Sequence, residues 1–238
     1  MTLLSVTEVS KGYGGLRPLR VRAFALSPGE QVALAGFDRT TAEVFVNLVT
    51  GATLPETGEV HAFGRRTADI SDSAEWLQMV DRFGIVSQRV VLLEPFTLAQ
   101  NIAMSLTLDV EPIPADTVPL VERLAGEVGL SSEALERTVE ASSEAVKHRV
   151  RLARALATEP TVLLVEHPSA DVPPAELSAL AEDLRRAAGA RGVSLVVLAA
   201  TAEVGRPFAG RVLVLNAATG ELSEARPGAL RRMLGWGG

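Results

Sequence analysis

The chain has 238 residues, 47% of them apolar and 22% charged, enough for one large α/β domain or a core domain with a subdomain. Its net charge of −6 argues against a general nucleic-acid binder, which needs basic patches against phosphate. The lack of cysteine excludes disulfides and thiolate metal sites. No uncharged apolar run reaches roughly 18 residues, so no membrane-spanning helix is expected. The opening MTLLSVTEVSKGYG carries charge and glycine too early for a secretory signal, and a soluble, cytosolic protein is the default expectation.

Residues 3–9 and 19–26 read as short strands. Gly29 and Glu30 turn into QVALA (31–35), a buried apolar strand. A polar loop is expected over 36–41. A helix follows from Ala42 to Val49, where Val44, Phe45, Leu48 and Val49 fall at helical spacing. Thr50, Gly51 and LPETGEV end that helix and lead into a strand, and FGIVS (83–87) is another. The stretch from about 90 to 150 is expected to be mostly helical, with Pro112, Pro114 and Pro119 marking a loop before a helix over 118–128. RVRLARALA (149–157) is a helix, TVLLVE (161–166) an uninterrupted apolar strand, and 175–188 an amphipathic helix. SLVVLAA (194–200) is a further buried strand, and RVLVLN (211–216) with GELSE (220–224) suggests a hairpin. Strand and helix alternate, which predicts a mostly parallel α/β sheet.

GFDRTTAEVFVNLVTG (36–51) follows a buried strand and opens a helix, the setting a phosphate-binding P-loop needs. It resembles the ABC ATPase loop GPSGSGKSTLLNLLTG without a gap, although only Gly36 of the phosphate-binding consensus is present. From these residues alone a plain strand–turn–helix accounts for the pattern as well. The order of other segments adds to it. Tyr13 in SKGYGG stands where that family carries its adenine-stacking aromatic. FGIVSQ ends in Gln88, matching the Q-loop. TLAQNIAMSL (97–106) and VKHRVRLARALATEPTVLLVEHPSA (146–170) also resemble family segments. The chain is identified as a degenerate member of the ABC transporter ATP-binding family, nearest in look to the subgroup serving lipoprotein-release, macrolide-export and cell-division permeases. The resemblance implies an α/β fold: a P-loop NTPase-like RecA-type core with a mostly parallel sheet, an N-terminal antiparallel β subdomain and a helical subdomain. It places the core with its β subdomain at 1–87 and 151–238 and the helical subdomain at 88–150.

Carried onto this chain, the resemblance points to several replaced positions. Ala42 stands where the phosphate-holding lysine belongs, and Glu43 where a hydroxyl would bind Mg²⁺. A unit-charge attraction at about 4 Å is worth roughly 4 kcal/mol at an effective dielectric of about 20, so losing the lysine is expected to weaken triphosphate binding. Arg39 and Thr41 replace loop glycines beside Thr40 and crowd the amide nest. Arg39 is either a substitute cation or a surface arginine. Glu166 replaces the Mg²⁺-linked aspartate, a tolerable change. His167 replaces the glutamate base; it is either a neutral imidazole able to take a proton or a residual turn histidine. Ala200 falls at the switch-histidine position. The signature-like loop reads SSEAV (142–146), with Ser143 matching its serine; Ser143 before Glu144 is also an ordinary helix cap. Tyr13 and Gln88 either serve the site or are kept for packing and docking.

The implied function is an ATP-binding-type subunit of a transport complex that is catalytically inactive or weak. No cofactor or only weak ATP is expected, and Mg²⁺ binding is doubtful. The implied partners are an integral-membrane permease, docked through the Q-loop groove, and a second ABC subunit in a homodimer or heterodimer, with no nucleic acid. The implied location is the cytoplasmic face of the cell membrane. Two alternatives stand beside this: an asymmetric ATPase active only with an intact partner, and a soluble interaction module unconnected with transport.

Overall fold

The computed structural model describes residues 2–15 and 17–225; the stretch 226–238 of the expected core lies outside the described residues. Strands β1 (Leu4–Lys11) and β2 (Leu19–Leu26) pair antiparallel from Leu4↔Leu26 to Lys11↔Leu19. That pairing carries β1 two residues beyond the expected 3–9. β3 (Gln31–Ala35) is the buried QVALA strand. α1 (Arg39–Val49) starts three residues before the expected Ala42, because Asp38 caps it. β4 (Thr57–Ala62) lies on the free edge of β1, and β5 (Arg65–Arg66) completes a four-stranded sheet in the order β2-β1-β4-β5. The β1–β4 register shifts between Thr7 and Ser10. There Gly58 runs at φ +80, and a Cβ on it would meet the Glu8 carbonyl oxygen at 2.3 Å.

The remaining elements build the second sheet and its cover. They are α2 (Ser73–Val80), β6 (Phe83–Val86), α3 (Leu98–Ala103), α4 (Val118–Glu127), α5 (Ser132–Leu135), α6 (Glu144–Ala157), β7 (Val162–Glu166), α7 (Pro174–Ala190), β8 (Ser194–Ala199), α8 (Ala202–Gly205), β9 (Arg211–Leu215) and β10 (Leu222–Glu224). The sheet order is β10-β9-β3-β8-β7-β6, parallel throughout except for β10 on β9. Pro119 falls inside the first turn of α4 rather than in the preceding loop. An amide there has no helical partner to lose. α6 begins at Glu144, five residues before the expected 149.

Strands β3, β7 and β8 read as unbroken apolar runs because both faces of the parallel sheet are covered. Alternate residues go to opposite sides. Val32, Leu34, Val162, Leu164, Val196 and Leu198 join α1 and the antiparallel sheet in one core. Ala33, Ala35, Leu163, Val165, Leu195 and Val197 join the helical layer, including Leu124 of α4, Leu152 of α6 and Leu184 of α7. In the first core Phe45 of α1 meets Phe24 and Phe37 edge-on, with ring centroids 6.1 and 5.4 Å away. α6 is clasped to α7 by Arg149, whose Nε and Nη2 donate to Asp183 at 2.9 and 2.7 Å.

Candidate functional site

In an open parallel sheet, ligands bind beyond the carboxyl ends of the strands. Four such ends carry the residues of interest: Gly36 after β3, Ser87, Gln88 and Arg89 after β6, Glu166 and His167 at the end of β7, and Ala200 after β8. A cavity of about 310 Å³ opens there, lined by Arg39, Thr40, Glu43, Ser87, Gln88, Arg89, Glu166 and His167.

The loop from β3 into α1 is held by main-chain bonds: the Gly36 amide donates to the Ala200 carbonyl at 3.2 Å, and Phe37 to Ala199 at 3.1 Å. Gly36 runs at φ +89, and a Cβ would come 2.9 Å from the Leu215 carbonyl oxygen, so only glycine fits. Asp38 then closes a capping box. Its Oδ1 accepts the Thr41 amide at 2.7 Å, and the Thr41 hydroxyl accepts the Asp38 amide at 2.9 Å. The Thr41 amide and hydroxyl, helped by the Thr40 amide and by His167, hold the Asp38 carboxyl below its ordinary pKa. An internal carboxylate thus occupies the helix N-terminus, the kind of place where an anion binds.

The opposite wall is charged. Glu166 is 6% exposed. Its carboxylate accepts the Ser87 hydroxyl at 2.8 Å and Arg89 Nε at 3.2 Å, and Arg89 Nη2 closes a second bond to its other oxygen. The remaining arm of the fork, Nη1, donates to Glu43 Oε1 at 3.2 Å. The bond to Glu166 raises the Arg89 pKa further and outweighs burial, so the guanidinium stays charged. Arg39 reaches across the mouth to Asp171 at 3.3 Å, and Gln88 Nε2 donates to the same Asp171 oxygen at 3.3 Å. His167 has φ +46, and its buried Nε2 has no hydrogen-bond partner among the described residues.

Of the residues singled out in the sequence, Arg39, Thr40, Glu43, Gln88, Glu166 and His167 line this cavity. Tyr13 packs against the core under α1, and Ala42 is fully buried in that core. Thr41 is spent on the capping box. Ser143 is the N-cap of α6, but its hydroxyl makes no cap bond; it donates to Glu176 of α7 at 2.7 Å. Asp38, Ser87 and Arg89 were not anticipated. Asp38 and Thr41 stand at capping-box spacing, a readable signal. Arg89 sits next to Gln88, where only the three-dimensional approach of β6 to β7 and α1 reveals its partners.

The donor set suits magnesium. The Glu166 carboxylate and the Ser87 hydroxyl are hard oxygen ligands, and this ion takes one or two carboxylates plus substrate phosphates. No cluster of three or more His, Cys, Asp or Glu able to hold a metal is present among the described residues, and none is needed for that mode.

A family model described as ABC transporter matches residues 19–170. The chain is 29% identical over 215 residues to the methionine import ATP-binding protein MetN of Brucella abortus, covering 90% of this chain and 57% of that protein. It is 28% identical over 216 residues to the sulfate/thiosulfate import ATP-binding protein CysA of Caulobacter vibrioides, covering 90% and 62%. The chain therefore spans about 57–62% of the length of these relatives. Its fold matches cbiO1 of Clostridium perfringens, part of an ABC transporter complex, with a TM-score of 0.79 at 18% identity, covering 97% of this chain and 91% of that one. These matches correct the expectation of no cofactor or only weak ATP with doubtful magnesium: the related proteins are ATP-binding ones. That expectation followed from the replaced lysine, metal-ligand hydroxyl and loop glycines, and left out the guanidinium of Arg89 in the cavity wall. The strand-end cavity beside a P-loop-like turn, the two-sheet cassette and the match over residues 19–170 together make this chain a member of the ABC transporter ATP-binding family.

Proposed function

We propose that this chain is the ATP-binding subunit of a membrane transport complex, that ATP and magnesium are the ligands of the strand-end cavity, and that its own hydrolytic step is slow. Its main work is then structural and regulatory, as the partner of a permease. One observation carries the slow step: His167, at the position of the base, keeps its Nε2 buried, with no hydrogen-bond partner among the described residues. A general base must be free to reach the attacking water. Ala200, at the end of β8, offers the γ-phosphate a methyl group.

Bound magnesium would supply positive charge against the phosphates; Glu166, through water, and Ser87 are the side chains that would hold it. Thr40 and Gln88 line the cavity and orient the phosphate chain, and Tyr13, partly buried against the core, presents a ring for the base. The division into a core (1–87 and 151–238) and a helical part (88–150) belongs to the same reading. Every paired strand among the described residues lies in the former, although α6 crosses the 150/151 boundary. Past Gln88, exposed Val91 and Leu93 offer apolar surface for a permease loop at the cytoplasmic face of the membrane. A dimer with a second ABC subunit, of either kind, completes the assembly.

The test is phosphate release by the purified chain under saturating ATP and magnesium. Phosphoryl-transfer enzymes commonly turn over at about 1–100 per second, and general acid–base catalysis contributes about 10²–10⁴. The expected rate is below about 0.01 per second. A rate near 1 per second would overturn the slow-step reading.

A further inference from the structure

We propose that Arg89 is the residue that receives the terminal phosphates of ATP, with Glu43 as the anion that holds its place until they arrive. This deepens the reading of the cavity as an ATP site and rests on it. The geometry divides the guanidinium into two halves. Nε and Nη2 are fixed on Glu166, itself buried and braced by Ser87. Nη1 points to Glu43 Oε1 at 3.2 Å.

The two contacts differ in permanence. The Glu166 side chain is 7% exposed, whereas those of Glu43 and Arg89 are 45% and 42% exposed. A carboxylate half in water is cheaply returned to it, while one buried against a cation is not. Glu43 stands in the first turns of α1, on the cavity side, so an incoming phosphate chain repels it. Once it turns away, Nη1 presents a free donor on a guanidinium already oriented by Glu166. The planar fork with its several donors suits such an exchange, because one edge stays anchored while the other changes partner. Arg39 does not compete for the role. It lies across the mouth, 70% exposed and paired with Asp171. At the lysine position Ala42 contributes no charge and is buried in the apolar core.

Calorimetric titration of the purified full chain with ATP and with AMP tests this, using Arg89→Ala, Glu43→Gln, their combination and Arg39→Ala. Arg89→Ala is expected to weaken ATP binding by about ten- to a hundredfold, the value of a charge-assisted hydrogen bond, and to change AMP binding far less. Glu43→Gln removes the placeholder from an exposed position and is expected to tighten ATP binding by about threefold or more. That gain should vanish in the double variant, and Arg39→Ala should stay within about twofold of the unaltered chain. Arg89→Ala leaves Glu166 unpaired, so it can lose the fold; Glu43→Gln then decides, since weaker or unchanged ATP binding by that variant overturns the assignment. Equal ATP binding by a folded Arg89→Ala chain overturns it as well. Failure of the unaltered chain to bind ATP overturns both the assignment and the ATP-site reading. Fast hydrolysis with the affinity pattern intact overturns only the slow-step reading.

Discussion

At the start of α1 the Asp38 carboxylate accepts the Thr41 amide at 2.7 Å, so it serves the helix and blocks an anion at once. Asp38→Ala is expected to cost about 1 kcal/mol of stability, read from a urea midpoint, and to tighten ATP binding by exposing those amides. The cost is itself pH-dependent. The folded-state pKa lies below 3.8, so the stabilisation is present above that value and fades as pH falls through the lower folded value. The gap between the two chains in denaturant should therefore close in acid below about pH 4. This part of the site was half legible. The replaced lysine and hydroxyl at Ala42 and Glu43 can be seen in the sequence, and so can the spacing of Asp38 and Thr41. What could not be read is that Glu43 meets Arg89, because that contact joins residues 46 positions apart on different elements.

Among the elements, the buried strands were the clearest, because a parallel strand covered on both faces leaves an unbroken apolar run and tolerates little else; QVALA and VLLVE are such runs. Helix starts were the least clear. α1 and α6 both begin earlier than their apolar periodicity; Asp38 caps the first, while the α6 N-cap, Ser143, makes no cap bond and instead ties the helix start to Glu176 of α7. Helices α2 and α3 are short, and each begins at a capping residue, Asp72 or Thr97, that periodicity does not register. Packing between helices is equally silent in sequence. The side chains of Arg149 and Asp183 are only 10% and 18% exposed and join α6 to α7. Arg149→Ala should destabilise by about 3 kcal/mol, since it strands a largely buried carboxylate that keeps only Arg186. Adding Asp183→Ala should recover much of that loss. A double-mutant cycle in urea checks it; additive losses would mean the two residues act independently.

The whole molecule has a further sensitivity, located where α6 packs under the loop that follows β7. His148 is 2% exposed, and neither ring nitrogen has a hydrogen-bond partner among the described residues. Burial, reinforced by Arg151, lowers its pKa from 6.5 to about 4, against weaker opposing effects of Glu144, the Ala170 backbone and Asp171. The unfolded chain therefore binds a proton at pH values where the folded chain does not. Stability is full above about pH 6.5, falls as pH drops toward about 4, and the whole gap corresponds to about 3 kcal/mol. Because the ring belongs to the helical layer on one face of the parallel sheet, the loss should appear in global unfolding rather than in a local opening. His148→Met fills similar space without a titrating group. At pH 7 it should differ little from the unaltered chain, since no hydrogen bond is removed, and by pH 5 it should be the more stable by about 2 kcal/mol. Urea unfolding of both chains at the two pH values decides the matter; parallel pH profiles would mean that His148 ionises in the folded chain as readily as in the unfolded one.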